Sequence, residues 1–124
     1  QVQTKVIQAD FCGNATQEFY DTLFQKIMKS LPEGHSVALV VNNAGATTKG
    51  LFEKLTIKDC TDMLDVNVMH VAIFSKKFVD YFMSQRKPKD LKSGLINVSS
   101  LMGYMEGAGA AVYSSTKAFV TFLT

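Results

Sequence analysis

Residues 96–124 read INVSSLMGYMEGAGAAVYSSTKAFVTFLT. An apolar run enters this stretch and ends on two serines, Ser99 and Ser100. Glycines follow at 103, 107 and 109, and Tyr113 and Lys117 then stand four residues apart. Together with Gly94 and Leu95, the run reads as a strand buried on both faces of a parallel sheet. Residues 101–111 read as a loop, and a helix begins near Val112. On that helix Tyr113 and Lys117 share a face. A free phenol has a pKa of about 10, and an ammonium held beside it favours the phenolate. Such a pair can serve as a general acid or base. A serine at a strand end facing the helix can polarise a carbonyl. Each piece also has a plain structural use. Tyr and Lys at this spacing occur on many helices, and serines commonly cap turns.

Working outward, SVALVV (36–41) is a second short, continuously apolar run, followed by the turn NNAG at 42–45. Gly45 in such a turn can simply supply a positive φ. TKVIQAD (4–10) alternates and is rich in β-branched residues, so it reads as a strand ending near Asp10. Phe19, Leu23, Phe24, Ile27, Met28 and Leu31 recur at helical spacing between Thr16 and Leu31, and Pro32 and Gly34 end that helix. Thr56 with Asp59 reads as an N-cap with an acidic first turn, opening a long helix from about Ile57 to Ser84. Asn67 inside that helix can bond backbone or water. Strands alternating with helices imply βαβ units, a parallel sheet and an α/β fold. Ligands of open α/β sheets bind beyond the C-terminal strand ends. Asp10, the NNAG turn and Ser99/Ser100 all fall there.

The composition bounds the function. A chain of 124 residues makes one small domain, and 47% hydrophobic with 19% charged residues is ordinary for a globular protein. A net charge of +2 is too mild to imply nucleic acid. The densest basic run, SQRKPKDLK at 84–92, reads as a solvated loop around Pro88. No apolar stretch approaches the ~18 residues of a membrane span, and the N-terminus lacks signal-peptide form. Cys12 and Cys60 are isolated, which fits free thiols in a reducing compartment. His35 and His70 lie too far apart in sequence to suggest a metal site.

The order NNAG, Asn67, NVSS, Ser100, then YxxxK resembles the short-chain dehydrogenase/reductases, from QAD at 8–10 to the end of the chain. The resemblance implies a Rossmann-like doubly wound parallel sheet, NADP or NAD as cofactor with NADPH favoured, and hydride transfer between nicotinamide and a carbonyl or alcohol carbon. Tyr113 then matches the acid–base, and Lys117 the residue that tunes it and holds the nicotinamide ribose. Ser100, thirteen residues before Tyr113, matches the substrate-orienting serine, with Ser99 the weaker match. Asn67, twenty-five residues after Asn42, matches the proton-relay asparagine. Asp10 matches the acidic residue that meets the adenine ring. Asn43, Ala44 and Gly45 match the turn that passes the adenosine ribose, and Asn42 the residue that braces the sheet. TKVIQADF and YSSTKAFVTFL look most like the hydroxysteroid dehydrogenase and long-chain 3-ketoacyl-CoA reductase branch.

Three family features are missing from these residues. The glycine-rich pyrophosphate turn after the first strand is absent; GYMEGAG lies between the serine and the tyrosine. The family's first two strands, which belong between the strand at Asp10 and the strand at Asn42, are absent as well, as are its C-terminal strands. The expectation is therefore a partial domain over residues 1–124, the middle of a longer reductase. Its partners would be a small-molecule carbonyl or alcohol and a second copy, joined through the long helix and the Tyr113 helix. It would sit inside the cell, with an endoplasmic reticulum anchor only in segments outside this chain. Two alternatives belong to other classes: a catalytically dead, truncated relative serving as a structural subunit, and a nucleotide-binding sensor without catalysis.

Overall fold

The structure is a computed structural model that describes residues 3–85, 93–105 and 107–124. Its helices are α1 (Gln17–Ser30), α2 (Ile57–Leu64), α3 (His70–Ser84) and α4 (Ala111–Leu123). Its strands are β1 (Leu39–Asn42) and β2 (Gly94–Asn97). The strands pair in parallel, Leu39 opposite Gly94 and Asn42 opposite Asn97. The ladder extends at both ends, because the Gly94 amide donates to the Ala38 carbonyl and the Val98 amide to the Asn42 carbonyl. The order β1, long helix, β2 is one βαβ unit, which is the predicted fold class in part.

Three polar side chains lock this unit. The Asn42 amide donates to Asn97 Oδ1 at 2.8 Å and to Ser75 Oγ at 3.2 Å, and the Ser75 hydroxyl donates to Asn97 Oδ1 at 3.1 Å. Asn42 and Ser75 are buried. Because the three side chains bond one another, the network ties strand register to helix position. Asn42 thus braces the sheet, as its place in the turn suggested.

The long helix begins as the sequence predicts. Thr56 Oγ1 accepts the Asp59 amide while the Asp59 carboxylate accepts the Thr56 amide, a complete capping box. Between α2 and α3, residues Asp65–Met69 form a π turn, so the rod from Ile57 to Ser84 is continuous but wider at one point. On one side α3 packs against α1 through Tyr20, Leu23, Phe74 and Phe78, all buried. Lys77 and Asp21 pair across the same contact.

The segment 4–10 corrects one expectation. Its alternation is real: Ile7 and Ala9 pack on the α1/α3 core, while Val6 is 94% exposed. It carries no ladder bonds, since the sheet among the described residues has only β1 and β2. An extended segment becomes a strand only beside a partner edge, and none lies next to this one. In the predicted loop 101–111, the described residues Leu101–Gly103 form a 3-10 turn, and Ala111 already belongs to α4. Of the basic run 84–92, residues 86–92 lie outside the described residues. No helix of the described residues is long and apolar enough to cross a membrane.

Candidate functional site

Three stretches meet at the C-terminal end of the sheet: the NNAG turn after β1, the π turn of the long helix, and the first half of α4. Asn67 joins all three. Its Oδ1 accepts the Ala46 amide at 2.9 Å, and its Nδ2 donates to the Ala46 carbonyl at 2.8 Å and to Thr116 Oγ1 at 3.0 Å. The side-chain amide therefore treats Ala46 as a neighbouring strand would, offering it one donor and one acceptor. Asn67 is fully buried, and its polar atoms are all engaged, as burial requires.

Lys117 is the second organiser. It is only 5% exposed, and its ammonium donates to the Val98 carbonyl at 3.0 Å. Further donor capacity remains on the ammonium. Its Nζ stands 5.9 Å from the centroid of the Tyr113 ring, one helical turn away. A Cβ placed on Gly45 would lie 3.4 Å from both Lys117 Nζ and Asn67 Oδ1. The backbone at Gly45 is thus a bare patch faced by an ammonium and an amide oxygen. Asn43, Ala44 and Gly45 themselves are exposed. This is a cradle open to solvent on one side and lined by hydrogen-bonding groups on the other.

The serine pair divides its work. The Ser99 hydroxyl bonds the Lys117 carbonyl at 2.8 Å and Thr121 Oγ1 at 2.7 Å, tying the strand end to α4. Ser100 instead caps the 3-10 turn, with its Oγ accepting the Met102 amide at 3.3 Å. Its hydroxyl proton stays available for another acceptor. Gly103 lets this turn lie flat on α4, since a Cβ there would come within 2.8 Å of the Lys117 carbonyl, Ser99 Oγ and Thr121 Oγ1. The loop before Tyr113 is pinned by Gly109, whose φ is +71° and whose carbonyl accepts the Gly50 amide at 2.9 Å.

Asp10 is bonded into its own loop. Its Oδ1 accepts the Cys12 amide at 3.0 Å, and the neighbouring Gly13 amide donates to Asp65 at the head of the π turn. Burial raises the pKa of the Cys12 thiol, with the charges of Asp62 and Asp10 adding to the effect. That thiol is therefore a poor nucleophile. So the structure gathers Gly45, Asn67 and Lys117 directly, with Tyr113 one turn along α4, while Asp10 bonds within a separate loop. Two residues that sequence reasoning passed over complete the arrangement. Thr116 receives the Asn67 amide, and His70 packs beneath the π turn. The only sequence signal for either is a polar residue at a helix position that the apolar pattern assigns to the core.

The chain matches the short chain dehydrogenase family over residues 1–124 and belongs to that family. The 3-oxoacyl-(acyl-carrier-protein) reductase FabG of Staphylococcus epidermidis is 31% identical over 104 residues, which are 84% of this chain and 41% of that relative. The protein of the same name in Vibrio cholerae is 30% identical over 101 residues, covering 81% and 39%. A structure of 4-hydroxyisoleucine dehydrogenase complexed with NADH matches with a TM-score of 0.78 at 23% identity, over 97% of this chain and 48% of that one. A 7beta-hydroxysteroid dehydrogenase structure gives 0.79 at 24%, over 99% and 44%. Both share the fold. The chain spans about two fifths of the length of these curated relatives.

Proposed function

We propose that the natural protein is an NAD(P)-dependent oxidoreductase that reduces a ketone to an alcohol, with NADPH as the favoured donor. The observation that carries this reading is the cradle at Gly45, where an ammonium and an amide oxygen face bare backbone. The Lys117 ammonium, bonded to the Val98 carbonyl, keeps donor capacity for a ribose hydroxyl approaching from the solvent side. In this reading Asn43, Ala44 and Gly45 carry the adenosine ribose, Asp10 meets the adenine, and Lys117 holds the nicotinamide ribose. A bound nicotinamide dinucleotide supplies the hydride.

The chain's own residues then handle the oxygen. The Ser100 hydroxyl, already fixed by its cap bond, points the substrate carbonyl. Tyr113 donates its phenolic proton to that oxygen as it gains negative charge. The Lys117 ammonium stands beside the phenol and stabilises the negative charge left there. Asn67 holds the turn and the helix together and anchors a water that returns a proton to Tyr113. Hydride plus proton converts the ketone to an alcohol, and both are accounted for.

The substrate we favour is a 3-oxoacyl compound, since the bacterial relatives are named 3-oxoacyl-(acyl-carrier-protein) reductases, with a ketosteroid as the other member of the class read from the sequence. A purely structural subunit is disfavoured, because a buried ammonium weakens a fold that an apolar side chain would strengthen. We place the protein inside the cell, where free Cys12 and Cys60 are stable. We also propose a homo-oligomer through the long helix and α4, supported by the exposed Leu64, Met69, Phe119 and Phe122. Sedimentation of the natural polypeptide decides that point.

The direct test is NADPH oxidation by the natural polypeptide with acetoacetyl-CoA and with small ketones. Tyr113→Phe should abolish turnover and leave NADPH affinity nearly intact, whereas Lys117→Ala should damage both. Equal turnover in wild type and Tyr113→Phe would end the mechanism. Absence of NADPH binding to the wild type would end the cofactor reading.

A further inference from the structure

His70 is a buried titratable group that the proposed reaction leaves unused. It follows the π turn immediately. In such a turn an amide bonds five residues back, and the His70 amide donates to the Asp65 carbonyl. An ordinary helix would give that amide to the Val66 carbonyl. The Val66 carbonyl is occupied instead by the His70 ring, Nδ1 to oxygen 2.8 Å. A carbonyl only accepts, so Nδ1 carries the proton. The ring is held in place by Phe11, 4.4 Å between centroids, and by Phe74 at 6.0 Å.

We propose that His70 is a positioning residue that keeps the π turn open and so aims Asn67 at Ala46 and Thr116. The imidazole N–H replaces the backbone bond that the wide turn gives up, one residue before Asn67. Closing the turn would shift the helix by one residue, or about 100° of rotation. Met63 before the turn, Asn67 within it, and Phe74 and Phe78 after it could not then all keep their present partners. Burial lowers the His70 pKa and the Lys117 charge lowers it further, against the opposing bond to Val66. The inference rests on the role proposed above for Asn67.

The test uses the natural polypeptide with His70→Phe, which keeps the ring and removes the donor, and His70→Asn, which restores a donor near Nδ1. Each is made with Asn67 intact and with Asn67→Ala. Three quantities are read: kcat for NADPH-dependent reduction of acetoacetyl-CoA, NADPH affinity, and hydrogen exchange at the Ala46 amide, which reports the Asn67 bond directly. His70→Phe should lower kcat and speed Ala46 exchange by about tenfold each, the size of one net hydrogen bond, with NADPH affinity changed by no more than about twofold. His70→Asn should recover most of both. With Asn67→Ala present, His70→Phe should cost nothing more in kcat. Additive losses, or unchanged Ala46 exchange, would overturn the proposal. Should His70→Phe fail to fold, His70→Gln replaces it: partial loss that depends on Asn67 supports the role, and wild-type values refute it. If the wild type turns over no ketone, the proposed reaction falls, and Ala46 exchange alone then decides the role of His70.

Discussion

Two glycines near the site differ in the room around them. At Gly45 a methyl would meet its neighbours only at ordinary contact distance. Gly103 is bare so that nothing intervenes, because a methyl there would sit 2.8 Å from three oxygens at once. Gly103→Ala should therefore cost about 1–3 kcal/mol, read as a lower urea midpoint at unchanged slope. The Tyr20 hydroxyl presents a different case. It is fully buried and has no hydrogen-bond partner among the described residues. Removing an unpaired buried hydroxyl should be neutral or stabilising, so Tyr20→Phe should match or exceed wild type in thermal melting. Burial, with the Asp65 charge adding, pushes the Tyr20 phenol up to about 12. The unfolded chain ionises first, near the ordinary phenol value of about 10. Stability should fall as pH rises through that window, and the part due to Tyr20 should vanish in Tyr20→Phe. The Tyr113–Lys117 spacing was legible in the sequence because it is a local pattern, whereas Asn67 was reached only through the family resemblance. His70 and Thr116 were not legible, since their meaning depends on what packs against them.

At the level of elements, the helices were the most readable parts. The capping box of Thr56 and Asp59 announces its own helix start, and the structure places it there. Bonds from the Thr56 hydroxyl and amide hold the Asp59 carboxyl below the usual carboxylate range. A depressed carboxylate contributes stability above the unfolded value of about 4 and loses it as pH falls toward the folded one. Asp59→Asn should thus flatten the acid limb of a pH–stability curve by lowering its neutral part, with the two proteins converging at acid pH. Thr56→Ala should cost about 1 kcal/mol in the same denaturation series. The strands were read less well. TKVIQAD has the alternation of a strand, and its alternate residues do reach the core, but a ladder needs a second edge that sequence periodicity cannot report. The π turn was invisible for a related reason: one extra residue in a helix leaves no compositional mark.

Across the whole molecule, one face of the sheet stands open. Leu39, Val41, Ile96 and Val98 alternate with the inward residues and are exposed. A two-stranded sheet with one uncovered apolar face is marginal by itself. Residues 1–124 expressed alone should therefore bind a hydrophobic dye and associate at rising concentration. Dye fluorescence and gel filtration read both. The Asn67 clamp carries a consequence in time. It joins residues 21 and 49 positions away along the chain. Contacts that distant form only after the loops between them have closed. The helices can appear early on local bonds, whereas the cradle at Gly45 must wait for β1, the long helix and α4 to arrive together. The geometry of this site is then among the last properties the chain acquires as it folds, and among the first it loses when any one of the three lets go.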